Sequence, residues 1–348
     1  MEINKETLEM LDLMSQPAFL VQNGVIRHIN PAAVYLPLAE GQSVLPLFPA
    51  VQEDYTDFSD FLQLRLQLEQ QTMDATVLRR DYGDVFILQL PATAETFRIL
   101  SLASMQLREP LAGLTAITER LLPDSEPTYA SQANRRVHQI MRILSNMSDV
   151  QRFADPRSCR LEYTEVCGFL EEILEKADTL LESVQIRIQS QLPNAPVYTL
   201  LDREQFERAV YNLLSNAAKF SYAAAPIQVV LTHKGQRLHL SVTSRTEGAA
   251  AGDYYDRFMR EPTLEDPAQG IGLGLVLVRC AATNHGGAML IDRPDPQHTR
   301  ITMTFAIRQS RECTVRSPAF RIDYAGERDH GLFELSDVLP AKLYRIDK

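Results

Sequence analysis

Three polar residues, Asn212, Asn216 and Lys219, recur at i, i+4 and i+7 in the segment Asn212-Leu-Leu-Ser-Asn216-Ala-Ala-Lys219-Phe220. On a helix they share one stripe. A second stripe of Phe206, Val210, Leu213, Leu214, Ala217 and Phe220 is apolar and supplies the buried face. Asparagine is a poor helix former because its amide competes for backbone hydrogen bonds. Two of them one turn apart, in line with a lysine, therefore ask for a reason. One is a solvated face; the other is a site that offers amides and a cation to an anion. Further along, Gly270-Ile-Gly272-Leu-Gly274-Leu275 sets glycines on alternate positions ahead of a helix. Without a Cβ, backbone N–H groups can approach a phosphate, and the helix N-terminus adds its positive dipole end. The alternative is a flexible loop capping a helix. The spacing is not the Rossmann fingerprint, and no Gly-Lys-Ser of a P-loop is present.

The elements that must position these residues alternate helix and strand from about 158 to 308. A helix over Phe169–Ser183 precedes a strand over Val184–Ile188. Asp202, with Gln205 three residues later, opens the long helix to Phe220 in an acidic variant of the capping box. Strands over Ile227–Leu231 and Leu238–Val242 flank a Lys234-Gly235 turn. The helix after Gly274 stops at His285-Gly-Gly287, a C-cap signal, and a strand follows over Arg300–Ile307.

Upstream, residues 1–92 form a separate unit. Ala18–Val21, an Asn23-Gly24 turn and the alternating Val25–Ile29 predict a hairpin, and Asn30-Pro-Ala-Ala33 predicts a helix start. Ala75–Arg80, Tyr82-Gly83 and Val85–Leu90 predict a second hairpin. Residues 93–157 read as a helical hairpin. Leu100, Leu107, Leu114 and Leu121 recur every seventh residue, two prolines break the helix at Pro123 and Pro127, and Val137, Ile140, Met141, Leu144 and Met147 make a second stripe. Such helices bury their stripes in a four-helix bundle with a second copy, or against a neighbouring domain of the same chain. Residues 309–348 alternate at Phe320, Ile322 and Tyr324 and carry an apolar segment around Leu335–Leu339, with no assigned role.

A net charge of −10 over 348 residues argues against nucleic acid or an anionic membrane as the main partner. No apolar run approaches a membrane span. Four scattered cysteines lack metal-ligand spacing, and a reduced, cytoplasmic setting is the expectation.

Asn212–Ser221 is similar, nearly letter for letter, to the asparagine box of sensor histidine kinases, and Gly270–Leu275 resembles their second glycine box. Tyr255-Asp-Arg-Phe258-Met-Arg260 lies where their phenylalanine box lies. The resemblance covers roughly 93–308. It implies an α+β multidomain chain: a dimerisation hairpin at 93–157, and at 158–308 an α/β sandwich of the histidine kinase/Hsp90-like ATPase type. It also implies Asn216 as a Mg²⁺ ligand, Asn212 and Lys219 as phosphate contacts, and ATP with Mg²⁺ as cofactors. The related gyrase and Hsp90 ATPases carry a glutamate in place of Asn212 to activate water, so its absence points to the kinase branch. Residues 1–92 resemble a PAS sensor domain, with any small α+β domain as the alternative.

Two boxes depart from the family. In Val242-Thr-Ser244-Arg-Thr246-Glu-Gly248, Ser244 stands where the family has an adenine-binding aspartate. Losing a charged acceptor costs about 1.5–3 kcal/mol, or about ten- to a hundred-fold in affinity; a serine or an ordered water recovers part of it. In Ser104-Met105-Gln106-Leu107-Arg108-Glu109-Pro110-Leu111, Met105 stands in place of the phosphorylated histidine and Gln106 in place of the general-base glutamate. A thioether forms no phosphoramidate, and a neutral amide takes no proton. Autophosphorylation there is not expected, and His138 is read as incidental. The first reading is a degenerate kinase, a homodimer through its hairpin acting on a response regulator or a partner histidine kinase. The others are an active kinase working in trans and a phosphotransfer protein with a vestigial ATP domain.

Overall fold

The computed structural model describes residues 5–69, 71–89, 111, 127–221, 225–246, 273–309 and 330–344. Met105, Gln106, Gly270, Gly272, the Tyr255–Arg260 segment, the first helix of the hairpin apart from Leu111, and Phe320–Tyr324 lie outside the described residues.

After a short helix α1 (Lys5–Asp12), β1 (Ala18–Gln22) and β2 (Val25–Ile29) form the expected hairpin. Asn23 and Gly24 take φ of 52° and 74°, the paired left-handed values that a two-residue hairpin turn requires. Asn30-Pro-Ala-Ala33 makes a single 3₁₀ turn rather than a helix start. Asn30 is fully buried and spends its side chain on the backbone: its oxygen accepts from Ala18 N–H at 2.9 Å and its amide donates to the Gln16 carbonyl at 2.9 Å. Helix α2 (Gln52–Asp57) leads into β3 (Phe61–Leu68), a strand not anticipated from the sequence although Leu62, Leu64, Leu66 and Leu68 alternate strictly and are all buried. β4 (Gln71–Arg80) and β5 (Gly83–Gln89) form the second expected hairpin. The order of this half-sheet is β2-β1-β5-β4-β3. Phe19, Phe48, Tyr55 and Phe86 stack over one face of it.

The second half follows helix α3 (Pro127–Ala154). Its elements in chain order are β6 (Glu162–Glu165), α4 (Val166–Leu181), β7 (Ile188–Gln191), β8 (Tyr198–Leu201) and α5 (Arg203–Phe220). Then come β9 (Ile227–Lys234), β10 (Arg237–Arg245), α6 (Leu273–Asn284), β11 (Met289–Asp295), β12 (His298–Ala306) and α7 (His330–Glu334). The strand expected over Val184–Ile188 is displaced: a 3₁₀ turn takes Glu182–Val184, Gln185 turns the chain at φ 61°, and pairing begins at Ile188. β6 and β8 form a separate two-stranded sheet, which the short stretches Glu162–Glu165 and Tyr198–Leu201 did not announce. α6 ends as expected: Gly286 takes φ 75°, and Gly286 and Gly287 donate to the carbonyls of Thr283 and Ala282, closing a Schellman motif.

The two halves share one sheet. β3 pairs antiparallel with β11, Leu62 opposite Leu290 and Phe61 opposite Ile291, which extends the order to β2-β1-β5-β4-β3-β11-β12-β10-β9-β7. α4, α5 and α6 pack their apolar faces into one core with the second-half strands. Charged pairs close the junction. Asp54 on α2 is fully buried against Arg237 at 2.5 Å and accepts from Thr304 at 3.1 Å, and Arg279 meets Asp74 at 3.1 Å. Burial raises the Asp54 carboxyl to about 6, against the pull of Arg237. Removing one partner of such a pair leaves an uncompensated buried charge. Asp54→Ala is therefore expected to cost about 3–5 kcal/mol in urea unfolding at neutral pH; a loss below 1 kcal/mol would show that Arg237 regains solvent and that the junction does not depend on the pair.

Candidate functional site

α5 carries the candidate site, and its placement begins at its N-cap. Asp202 Oδ1 accepts from Gln205 N–H at 3.0 Å, and Oδ2 accepts from Arg160 N–H at 2.7 Å. Of the expected apolar positions, Phe206, Val210, Leu213, Leu214 and Ala217 are buried in the main core, whereas Phe220 is partly buried and lines the cleft described below. That packing fixes the rotation of the helix, so the polar stripe faces α3, the N-terminal end of α6 and the 330–344 segment.

Each residue of the stripe has its own surroundings. Asn212 is buried, its amide donates to the Arg208 carbonyl at 2.8 Å, and Arg142 Nη2 of α3 lies 3.4 Å from its oxygen. A Cβ added at Gly274 would stand 2.7 Å from that same oxygen, so any larger residue there would displace the Asn212 amide. Asn216 is half-buried and borders a narrow, shallow cleft between α5 and the sheet. Across the cleft are Ser244 of β10, Thr246 just after it, and Thr299 and Ile301 of β12; the hydroxyls of Thr246 and Thr299 are 3.0 Å apart. Lys219 Nζ is 3.3 Å from the Asp337 carboxylate. Leu275, also expected at the site, packs as a partly buried side chain against the main core.

Asn212, Asn216, Lys219, Ser244 and Gly274 are thus gathered around one end of α5. The donor set fits a magnesium nucleotide: amide oxygen suits Mg²⁺, a lysine suits phosphate, and the glycine approach next to a helix N-terminus suits a polyphosphate. Ser244 presents a hydroxyl at the cleft, not a carboxylate.

Sequence reasoning missed the charged residues packed against this stripe. Arg208, one turn before Asn212, is buried and bonds to Asp149 and, at 3.0 Å, to Asn146 of α3; it also pairs with Glu334 of α7. Arg142 pairs with Asp337 at 2.6 Å and Glu334 at 3.5 Å. Burial lowers the pKa of both guanidiniums. The signal that could have found Arg208 is its register, i−4 from Asn212. The α3 residues were hidden because attention fell on its apolar stripe. In the structure the inward face of α3 is polar at Ser131, Asn134, Arg142, Asn146 and Asp149; of the expected apolar stripe Leu144 is buried, Val137, Met141 and Met147 are half-buried, and Ile140 is exposed. His138 bonds to the Asn134 carbonyl at 2.8 Å and packs edge-on to Tyr344, a structural part.

Residues 201–309 match the family model described as histidine kinase-, DNA gyrase B- and HSP90-like ATPase. The chain is similar to the sensor histidine kinase WalK of Bacillus subtilis (21% identity, covering 84% of this chain and 53% of the relative). It is also similar to the sensor protein KdpD of Escherichia coli (30% identity, 57% and 23%) and to the adaptive-response sensory kinase SasA of Parasynechococcus marenigrum (23% identity, 87% and 84%). The chain spans about half the length of WalK and about a quarter of that of KdpD. Among the described residues no helix is long and apolar enough to cross a membrane.

His285 ties the two site helices together. Its Nε2 accepts from Asp202 N–H at 2.9 Å and its Nδ1–H donates to the Ala281 carbonyl at 2.6 Å, which requires the neutral ring. Burial holds its pKa below the ordinary 6.5. A depressed folded-state pKa gives stability that is complete above 6.5 and is lost as pH falls through the lower value. Unfolding free energies measured from pH 8 to pH 4.5 are expected to fall on the acid side, and His285→Gln to flatten that limb; parallel curves for the two proteins would refute a role for the His285 proton.

Proposed function

We propose, on the premise that this chain belongs to the histidine kinase family, that it is a signal-transduction protein whose ATPase-like domain binds Mg-ATP as a conformational ligand without phosphorylating its own hairpin. The observation that carries the reading is the gathering of Asn212, Asn216 and Lys219 beside Gly274 and the cleft lined by Ser244. In this reading Asn216 holds the metal, and Asn212 and Lys219, with Gly270, Gly272 and Gly274, hold the phosphates. The bound nucleotide would supply a transferable phosphoryl group; the chain lacks the residues to receive it, since Met105 and Gln106 stand at the acceptor and base positions.

Further parts of the reading have their own supports. The order β2-β1-β5-β4-β3, with the short helices lying between β2 and β3, supports a PAS-like sensor unit in residues 1–92. The shared sheet and the Asp54–Arg237 pair give such a unit a direct mechanical route to the nucleotide domain. The exposed Ile140 and half-buried Val137, Met141 and Met147 support pairing of the hairpin, 93–157, with that of a second copy. A response regulator or a partner histidine kinase is the proposed target. Retention of Asn212, Asn216 and Lys219 favours, as a second reading, phosphorylation of a partner in trans.

The experiment is Mg-ATP titration followed by thermal shift and calorimetry, with Asn216→Ala alongside. A ligand at a hundred times its Kd stabilises by about 2.7 kcal/mol. Saturable binding in the unmodified chain, abolished by Asn216→Ala, is expected; no binding at millimolar Mg-ATP in either would sink the reading. The double variant Met105→His with Gln106→Glu is expected to gain an acid-labile phosphoryl label from ATP, whereas the unmodified chain gains none at residue 105.

A further inference from the structure

The 330–344 segment folds back over the polar end of α5. Its apolar residues Leu335, Leu339 and Tyr344 are buried. α3 holds its backbone: Arg135 donates to the carbonyls of Ser336 (3.2 Å) and Asp337 (2.9 Å), and Gln139 to that of Ser336 (3.2 Å). At the centre, one oxygen of Asp337, Oδ2, lies 2.6 Å from Arg142 Nη1 and 3.3 Å from Lys219 Nζ, while Arg142 Nη2 reaches toward Asn212 Oδ1. An anionic oxygen between a lysine and an arginine is how proteins bind phosphate. Here the anion is the chain's own.

The fit of this polar centre is incomplete. Among the described residues, Arg208 Nε and Ser336 Oγ are buried without a hydrogen-bond partner, and Arg142 Nε meets Glu334 only at 3.5 Å. Each such group costs about 1–3 kcal/mol. The segment is thus held by apolar anchors and backbone bonds over a charged centre that a ligand richer in acceptor oxygens could match better.

We propose that residues 330–344 are an intramolecular competitor for the nucleotide: the Asp337 carboxylate occupies the anion position that Lys219 and Arg142 offer to a phosphate, so the segment must leave before a polyphosphate can take it. This rests on the reading of Lys219 as a phosphate contact. It adds Arg142, on the helix of the signalling hairpin, to the anion site, and it gives the C-terminal segment a regulatory role. A bound state competing with the open one lowers apparent affinity by the fraction open.

The test is Mg-ATP titration by calorimetry of the full chain, its Asp337→Asn variant and Asn216→Ala, with hydrogen exchange of residues 331–344 followed in parallel. Asp337→Asn keeps the shape and removes the charge. It is expected to bind Mg-ATP about tenfold tighter than the unmodified chain, the scale of one charge-assisted contact. Exchange of the 331–344 amides is expected to rise when nucleotide saturates the unmodified chain. Equal affinities for the unmodified chain and Asp337→Asn, with binding lost in Asn216→Ala, would overturn the competition and leave the nucleotide reading standing. Nucleotide bound with no change in exchange would overturn it in the same way. No binding by any of the three at millimolar Mg-ATP would overturn both.

Discussion

Burial of Arg208 on the core helix of the ATPase-like domain is the constraint around which the second half of this molecule is arranged. A guanidinium taken out of water loses several kcal/mol of solvation, which only close anionic partners offset. Asp149 and Glu334 supply them, one from α3 and one from α7. α3 must therefore lie with its polar face inward, and the C-terminal segment must come back across α5. Arg142, drawn into the same cluster, brings Asp337 with it. The course of the two segments flanking the ATPase-like domain follows from charges on its central helix.

That arrangement couples distant parts of the molecule. α3 touches α5 through Arg208, α6 through Val150 and Phe153, and the C-terminal segment through Arg135 and Gln139. Any rotation of α3 must break or remake these contacts together, since a buried charged cluster has few intermediate arrangements of comparable energy. At the opposite side, the ten-stranded sheet passes without interruption from the N-terminal unit into the ATPase-like domain. A distortion of β3 would be felt at β11 through shared ladder hydrogen bonds. The molecule thus has one apolar, hydrogen-bonded route between its ends and one electrostatic route, and both reach the region of α5 and α6.

Much of the local structure was legible in the sequence. Asp202 and Gln205 opened α5 at the expected residue, Asn23-Gly24 turned the first hairpin, and His285-Gly-Gly287 stopped α6, because caps and turns depend on groups only a few residues apart. The apolar stripe of α5 named its buried face for the same reason. β3 and β11 were not anticipated, and neither was their pairing across the two halves, since nothing local in either strand specifies a partner so distant in sequence. On α3 the apolar stripe is only partly buried, at Leu144, and the chain buries a polar row beside it, because charged groups on α5 and α7 demand partners there.

The sequence by itself determined that α5 would present Asn212, Asn216 and Lys219 on one line and that a helix would start about Gly274; helical geometry and the chemistry of single residues suffice for both. Only the tertiary structure decided what that line faces: a cleft floored by Ser244, an arginine from α3, and an aspartate from the C-terminal segment, Asp337, 118 residues beyond the Lys219 it contacts. The physical reason is that desolvation and ion pairing are settled by whichever groups the fold brings within a few ångströms, and separation along the chain carries no information about that distance.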